Sequence, residues 1–198
     1  MPFLKEWYII RGESEETHMK KIIFALIAAC MIFSLCACGS GEKPDVTVPD
    51  GMVYVKNDVI NVALCHPVEW TVDRNDGMLS LLKDTSSSSM VSTYASLSVT
   101  KYGTDAQSYK DYWKTYEERL ADELKEYKAV KTEEIKVDGN TVGKYHYTAK
   151  VDGSTYHFVQ VVAVGGYSAY IITLTASEKD FESVSADFDK IISNFYFN

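Results

Sequence analysis

Basic clusters, proline and long apolar runs are all scarce in this 198-residue chain. Lys and Arg number 20 against 28 Asp and Glu, for a net charge of -8, and no basic patch stands out. That weighs against a nucleic-acid partner. Four prolines and 11 glycines without a period exclude a collagen-like or proline-rich disordered chain. The apolar run from Ile22 to Ala37 falls short of the roughly 20 residues that span a bilayer comfortably. There is no P-loop, no glycine-rich dinucleotide turn, no nucleophile elbow and no HExxH. The expectation is a chain with no catalytic residue and no cofactor. What is present, 46% hydrophobic and 13% aromatic residues with 24% charged, suits a packed globular domain.

Residues 19–37 open with Lys20 and Lys21, continue through the apolar run and end on small residues, the plan of a secretory signal peptide. Residues 1–18 stand upstream of that complete signal and are expected to be a mis-called extension, with translation starting at Met19. At the end of the signal, Leu35-Cys36-Ala37-Cys38 followed by Gly39 and Ser40 resembles the bacterial lipobox. That resemblance implies cleavage before Cys38 and lipidation of its thiol. One acyl chain anchors a protein marginally and two or three anchor it stably. The expected location is therefore the extracytoplasmic face of the cell membrane. Cys30 and Cys36 would leave with the signal and Cys38 would carry lipid, so Cys65 would have no partner for an intrachain disulfide.

Residues 38–51 form the lipidated N-terminus and a linker, with Pro44, Pro49 and no apolar periodicity. Residues 52–198 are expected to form one domain. A helix from Thr104, with Gln107 completing a capping box, runs to about Lys125 and aligns Tyr109, Tyr112, Trp113, Tyr116, Leu120 and Leu124. A second helix opens at Ser177, with Asp180 in the box position, and aligns Phe181, Val184, Phe188, Ile191, Ile192 and Phe195.

Between them lies a four-strand meander turning at Asp138-Gly139-Asn140, Asp152-Gly153 and Gly165-Gly166. Antiparallel pairing puts Tyr145, Tyr147, Tyr156, Phe158, Val162, Ala169 and Ile171 on one face. Val159, Val161, Tyr170, Ile172 and Leu174 take the other, with Ile135, Val137 and Val142. A sheet apolar on both faces needs cover on both sides, which two amphipathic helices provide. Ahead of the first helix, Val53–Lys56 and Val59–Leu64 read as a hairpin about Asn57-Asp58. Glu69–Val72, Leu79–Lys83 and Ser92–Lys101 follow as strands.

The order hairpin, three strands, helix, four strands, helix resembles the fold shared by PsbP, DcrB-like lipoproteins and a eukaryotic Ran-binding import factor. Pro67-Val68-Glu69-Trp70, Gly166-Tyr167 through Thr173, and Ile191-Ile192-Ser193-Asn194-Phe195 carry the resemblance. It implies an α+β domain, three layers α/β/α about an antiparallel sheet, and no activity by itself.

Few residues invite chemistry. Cys65 and His66 are strand neighbours that point to opposite faces, so they do not form a nucleophile–base pair. His146 and His157 fall diagonally on one face and are weak metal candidates, since zinc takes three or four ligands and Lys144 and Lys150 share the face. No carboxylate is expected there. Asp73-Arg74-Asn75-Asp76-Gly77 has the wrong spacing for a calcium loop, with Asp84 where a bidentate Glu belongs. The leading expectation is a non-catalytic interaction or assembly module bound to the membrane through Cys38 and to an extracytoplasmic protein partner. A small-ligand-binding lipoprotein, using aromatics near Trp70 or the Ser86–Ser89 loop, is the alternative, and a hydrolase built on Cys65 or a histidine comes third.

Overall fold

In the computed structural model, residues 46–75, 78–86 and 94–198 are described, residues 74–75 by backbone alone. Residues 1–37, Cys38, the start of the linker to residue 45, Asp76-Gly77, Ser87–Ser89 and residues 90–93, with the expected strand start at Ser92, lie outside the described residues, as do the expectations resting on them. Ten strands and two helices are described: β1 (Met52–Asn57), β2 (Val62–Pro67), β3 (Trp70–Asn75), β4 (Met78–Asp84), β5 (Tyr94–Gly103), α1 (Tyr109–Glu123), β6 (Lys125–Val137), β7 (Asn140–Val151), β8 (Ser154–Gly165), β9 (Ser168–Ser177), α2 (Phe181–Ser193) and β10 (Phe195–Phe197). Seven strands form one antiparallel sheet in the order β3-β4-β5-β9-β8-β7-β6, and β1-β2-β10 form a smaller one.

The meander follows its turns. Asp138 and Gly139, then Asp152 and Gly153, hold the positive φ that two-residue hairpin loops matching the strand twist require. The third turn sits one residue later than expected, on Gly166 and Tyr167, because Gly165 still pairs with Ser168.

Local hydrogen bonding moves other boundaries. Asn57 Oδ1 accepts from Val59 N at 3.0 Å and Ile60 N at 3.3 Å, so the first hairpin turns through residues 58–61 and β2 starts at Val62 rather than Val59. Thr104 Oγ1 caps only the amide of Ala106, while Ser108 Oγ accepts from Asp111 N at 3.2 Å. The first helix therefore begins at Tyr109 and ends at Glu123. Ser177 Oγ donates to Asp180 Oδ2, and the second helix starts after Asp180 rather than at Ser177.

The end of the chain departs furthest from expectation. Phe195 lies outside α2 and opens β10, whose Phe195–Phe197 pair with Leu64, Ala63 and Val62. The N-terminal hairpin thus leaves the main sheet and joins the C-terminus.

The two faces of the large sheet pack separately. Leu79, Leu81, Leu97, Val99, Val159, Val161, Ile172 and Leu174 meet Val184, Phe188, Ile191 and Ile192 of α2, together with Val62, Leu64 and Phe195 of the small sheet. Each such side chain, fully buried, contributes about 1.5–3 kcal/mol of transfer free energy. On the opposite face Tyr145, Tyr147, Val162 and Ile171 meet Trp113 of α1. This is the partition of faces that the alternation in the meander predicts. No helix among the described residues is long and apolar enough to cross a membrane.

Candidate functional site

The face beneath α1 is built from aromatics, and one glycine sets their arrangement. A Cβ at Gly143 would lie 2.5 Å from the Tyr145 ring, so that ring lies back along its own strand over the bare backbone. Its other face takes the Trp113 indole, with ring centroids 3.8 Å apart and planes 6° apart. Tyr147 stacks on Phe158 at 4.9 Å and Tyr127 tilts against Tyr147 at 5.2 Å. Offset and tilted pairs of this kind add about 0.5–1.5 kcal/mol each beyond the area they bury.

Glu117, one helical turn after Trp113, closes the cluster. Its carboxylate accepts from Trp113 Nε1 at 3.0 Å and from the Tyr127 hydroxyl at 2.8 Å. Burial, then the Glu117 bond, pushes the Tyr127 hydroxyl far up, and burial pushes Tyr145 up to about 12. These hydroxyls stay protonated and serve as donors and packing groups.

A cleft of about 430 Å³ opens between α1 and the β6 edge, walled by Tyr109, Lys110, Trp113, Lys114, Glu117 and Glu134. Glu134 accepts from the Tyr109 hydroxyl and pairs with Lys110 Nζ at 3.4 Å; these bonds hold its carboxyl below the usual range. Tyr109, Lys110 and Glu134 pair with one another across the cleft, and it reads as a seam tying α1 to the edge strand.

α1 packs on β6, β7 and β8. The same face continues across β9, β5 and β4 with hydroxyl side chains: Ser80 pairs with Ser98, Ser98 with Thr173, and Ser96 with Thr175. At the boundary Gln160 pairs with Thr173, is 4% exposed, and donates from Nε2 to Thr173 Oγ1 at 3.0 Å and to the Tyr116 hydroxyl at 3.4 Å. Its Oε1 has no donor. This half-face had no signal in apolar periodicity; the alternating serines and threonines of β5 and β9 were its only trace.

The residues singled out from sequence fall elsewhere. Cys65 is fully buried, burial pushes its thiol up, and it pairs with Tyr54 while His66 pairs with Val53. His66 Nδ1 lies 2.9 Å from the Pro67 carbonyl oxygen. His146 and His157 take the predicted register, opposite Val159 and Thr148. The expectation of no carboxylate nearby fails, because His146 Nε2 lies 3.2 Å from Glu133 Oε1 and Lys144 Nζ donates to Asp189 at 2.7 Å. Burial above all, then the Lys144 charge, holds the His146 pKa below its ordinary value. His157 instead stacks on Phe181 at 4.5 Å.

Among the described residues no group of three His, Cys, Asp or Glu is arranged to hold a metal. Trp70 is a core residue whose Nε1 donates to Asp187 Oδ2 at 3.2 Å; Lys83 Nζ meets the same oxygen at 2.6 Å.

Comparison with known proteins adds a family and a fold. A family model described as DcrB matches residues 82–194. No curated protein matches the chain. Cyanobacterial PsbP from Synechocystis superposes with a TM-score of 0.55 at 13% identity, over 80% of this chain and 99% of that one. LpqN, involved in cell envelope biogenesis of Mycobacterium tuberculosis, gives 0.52 at 10% identity, over 75% and 86%. A protein of unknown function from Pseudomonas aeruginosa, PA94, described as a putative regulator, gives 0.52 at 18%, over 70% and 92%. At such identities the likeness is one of fold.

Proposed function

The chain belongs to the DcrB family, and from that premise we propose that it is a non-catalytic interaction or assembly module, held at the extracytoplasmic face of the cell membrane by lipid on Cys38. In this reading the domain has three layers: α1, the large sheet, and α2 backed by the small sheet. The lipobox-like Leu35-Cys36-Ala37-Cys38 supports the anchor, and the envelope role stated for LpqN is compatible with the setting.

The observation that carries the interaction reading is Tyr167. It occupies the second position of a hairpin turn at φ 60°, where Gly or Asn is favoured, and is 85% exposed. A bulky side chain in the left-handed region costs about 1–2 kcal/mol, and this one recovers no burial. Its carbonyl oxygen accepts from Thr104 N at 3.0 Å, which fixes the tip against the end of β5 beside the half-exposed Tyr102. Tyrosines displayed on a fixed backbone in this way are among the side chains enriched at protein interfaces.

Cross-linking with mass spectrometry on intact cells tests the reading. It expects a heterologous adduct that is lost in Tyr167→Ala; recovery of monomer alone contradicts it. Labelling with a palmitate analogue, lost in Cys38→Ala, tests the anchor.

A further inference from the structure

We propose that the hydroxyl-lined half of the large sheet beside α1 binds a neutral polyhydroxylated chain, chemically an oligosaccharide. The inference goes beyond the interaction reading and asks nothing of Tyr167. Its floor is Ser80, Ser96, Ser98, Thr100, Thr173 and Thr175, all half-buried and on one face by strand register. Neighbouring strands place such hydroxyls about 4.8 Å apart, and alternate residues along a strand place them about 6.8 Å apart. Three strands, β4, β5 and β9, therefore present a lattice about 10 Å across.

None of these six side chains is charged. The solvent-facing β6 of the same chain is dense with Lys and Glu, among them Lys125, Lys128, Lys131, Glu133, Glu134 and Lys136. On the same face charge stands at the margins, Asp73 of β3 opposite Ser80 and Asp84 of β4 opposite Tyr94, and the apolar Leu82 stands opposite Ser96.

Three features narrow the ligand. Hydroxyls donate and accept, so they match a ligand made of hydroxyls; an apolar chain laid on them would strand them without partners. A peptide strand would add to a sheet edge rather than lie across a face. At the α1 side the floor meets Tyr112 and Tyr116, stacked at 5.7 Å, with the Arg119 guanidinium 5.3 Å over the Tyr116 ring. That makes a wall of ring edges and hydroxyls.

The second, independent sign is Gln160. Its amide reaches toward the floor through Thr173, it is almost wholly buried, and its Oε1 is left without a donor. A buried amide oxygen left unmatched costs about 1–3 kcal/mol, and at the rim of a hydroxyl lattice a ligand hydroxyl is the natural donor.

The test is saturation-transfer NMR on the full chain in zwitterionic detergent, since a glucoside detergent would itself compete. The probes are neutral cello-, malto- and chito-oligosaccharides. The proposal expects transfer to at least one of them. It expects affinity about tenfold weaker in Ser98→Ala and in Thr173→Val, each the loss of one hydroxyl, the second with strand propensity kept. Thr148→Val on the opposite face and Tyr167→Ala at the turn should leave binding unchanged. Thermal unfolding of each variant confirms that it is folded, and Ser98→Ala, the mildest change, decides where Thr173→Val proves unstable. Absence of transfer to all three probes overturns the proposal, as does transfer indifferent to Ser98→Ala, or binding confined to anionic vesicles or to peptides. Loss of cross-links in Tyr167→Ala with sugar transfer intact would separate this site from the interaction surface.

Discussion

On the α2 side of the large sheet, rows of Leu, Val and Ile meet a helix and a second sheet, and the packing runs without a break from Leu79 to Ile192. On the α1 side, Trp113, Tyr145 and Tyr147 fill the face over β7 and β8, and beyond Gln160 the surface turns to serine and threonine. The aliphatic face gathers residues from both ends of the domain, from Val55 to Phe195, so it closes the fold. The aromatic face fixes one helix over half a sheet and, among the described residues, leaves the other half without a covering helix. One sheet thus separates stability from presentation, and substitutions can pull that division apart or sharpen it.

The largest effect should come from Phe188→Ala in α2, at about 3–5 kcal/mol by urea unfolding. Asp187→Asn should follow at about 2–3 kcal/mol near neutral pH, because the carboxylate receives both Trp70 and Lys83. Burial alone would raise its pKa, but those two bonds and the charges of Lys83 and Lys190 outweigh it and hold it below the usual 3.8. A depressed carboxyl stabilises above its unfolded pKa and loses that contribution as pH falls through the folded value. The gap between wild type and Asn should therefore close on acidification below about pH 4, measured as unfolding midpoints.

Gly143→Ala probes the other face. The new methyl would drive the Tyr145 ring off Trp113, costing about 1–2 kcal/mol and the near-ultraviolet dichroism of the stack. A cost equal to that of Phe188→Ala would mean that the two faces form one core.

His146→Gln should have the smallest effect. A histidine with a lowered folded pKa stabilises above its ordinary 6.5 and loses that contribution as pH falls through the folded value. The Gln variant should lack this loss as pH falls below about 6.5. A variant as pH-sensitive as wild type there would remove His146 from the account.

How much of this was readable without coordinates follows from the range of the interactions. The meander's turns and the assignment of Tyr145 and Val159 to opposite faces are local consequences of period-two alternation, and they hold. The same pairing carried across Asp138-Gly139 puts Glu133 opposite Lys144 and beside His146, so that carboxylate is legible in the sequence.

The first helix and β2 start later than the pattern suggests because the Ser108 and Asn57 side chains take backbone amides of their own, Asp111 N and Val59 N. The pairing of β10 with β2 joins segments about 130 residues apart and left no trace in local pattern. Gln160 and the hydroxyl face were invisible for a different reason: hydrophobic periodicity reports what is buried, and this surface is defined by what is left uncovered.

Thiol labelling of Ser98→Cys, read peptide by peptide with Cys65 as the internal reference, tests the division of the sheet most directly. Serine to cysteine changes one atom on the hydroxyl face, while Cys65 is wholly buried and its thiol is pushed up by burial. The account predicts that residue 98 reacts in the folded protein at least about tenfold faster than Cys65. Equal protection of the two thiols would mean that the hydroxyl face is covered, and would contradict it.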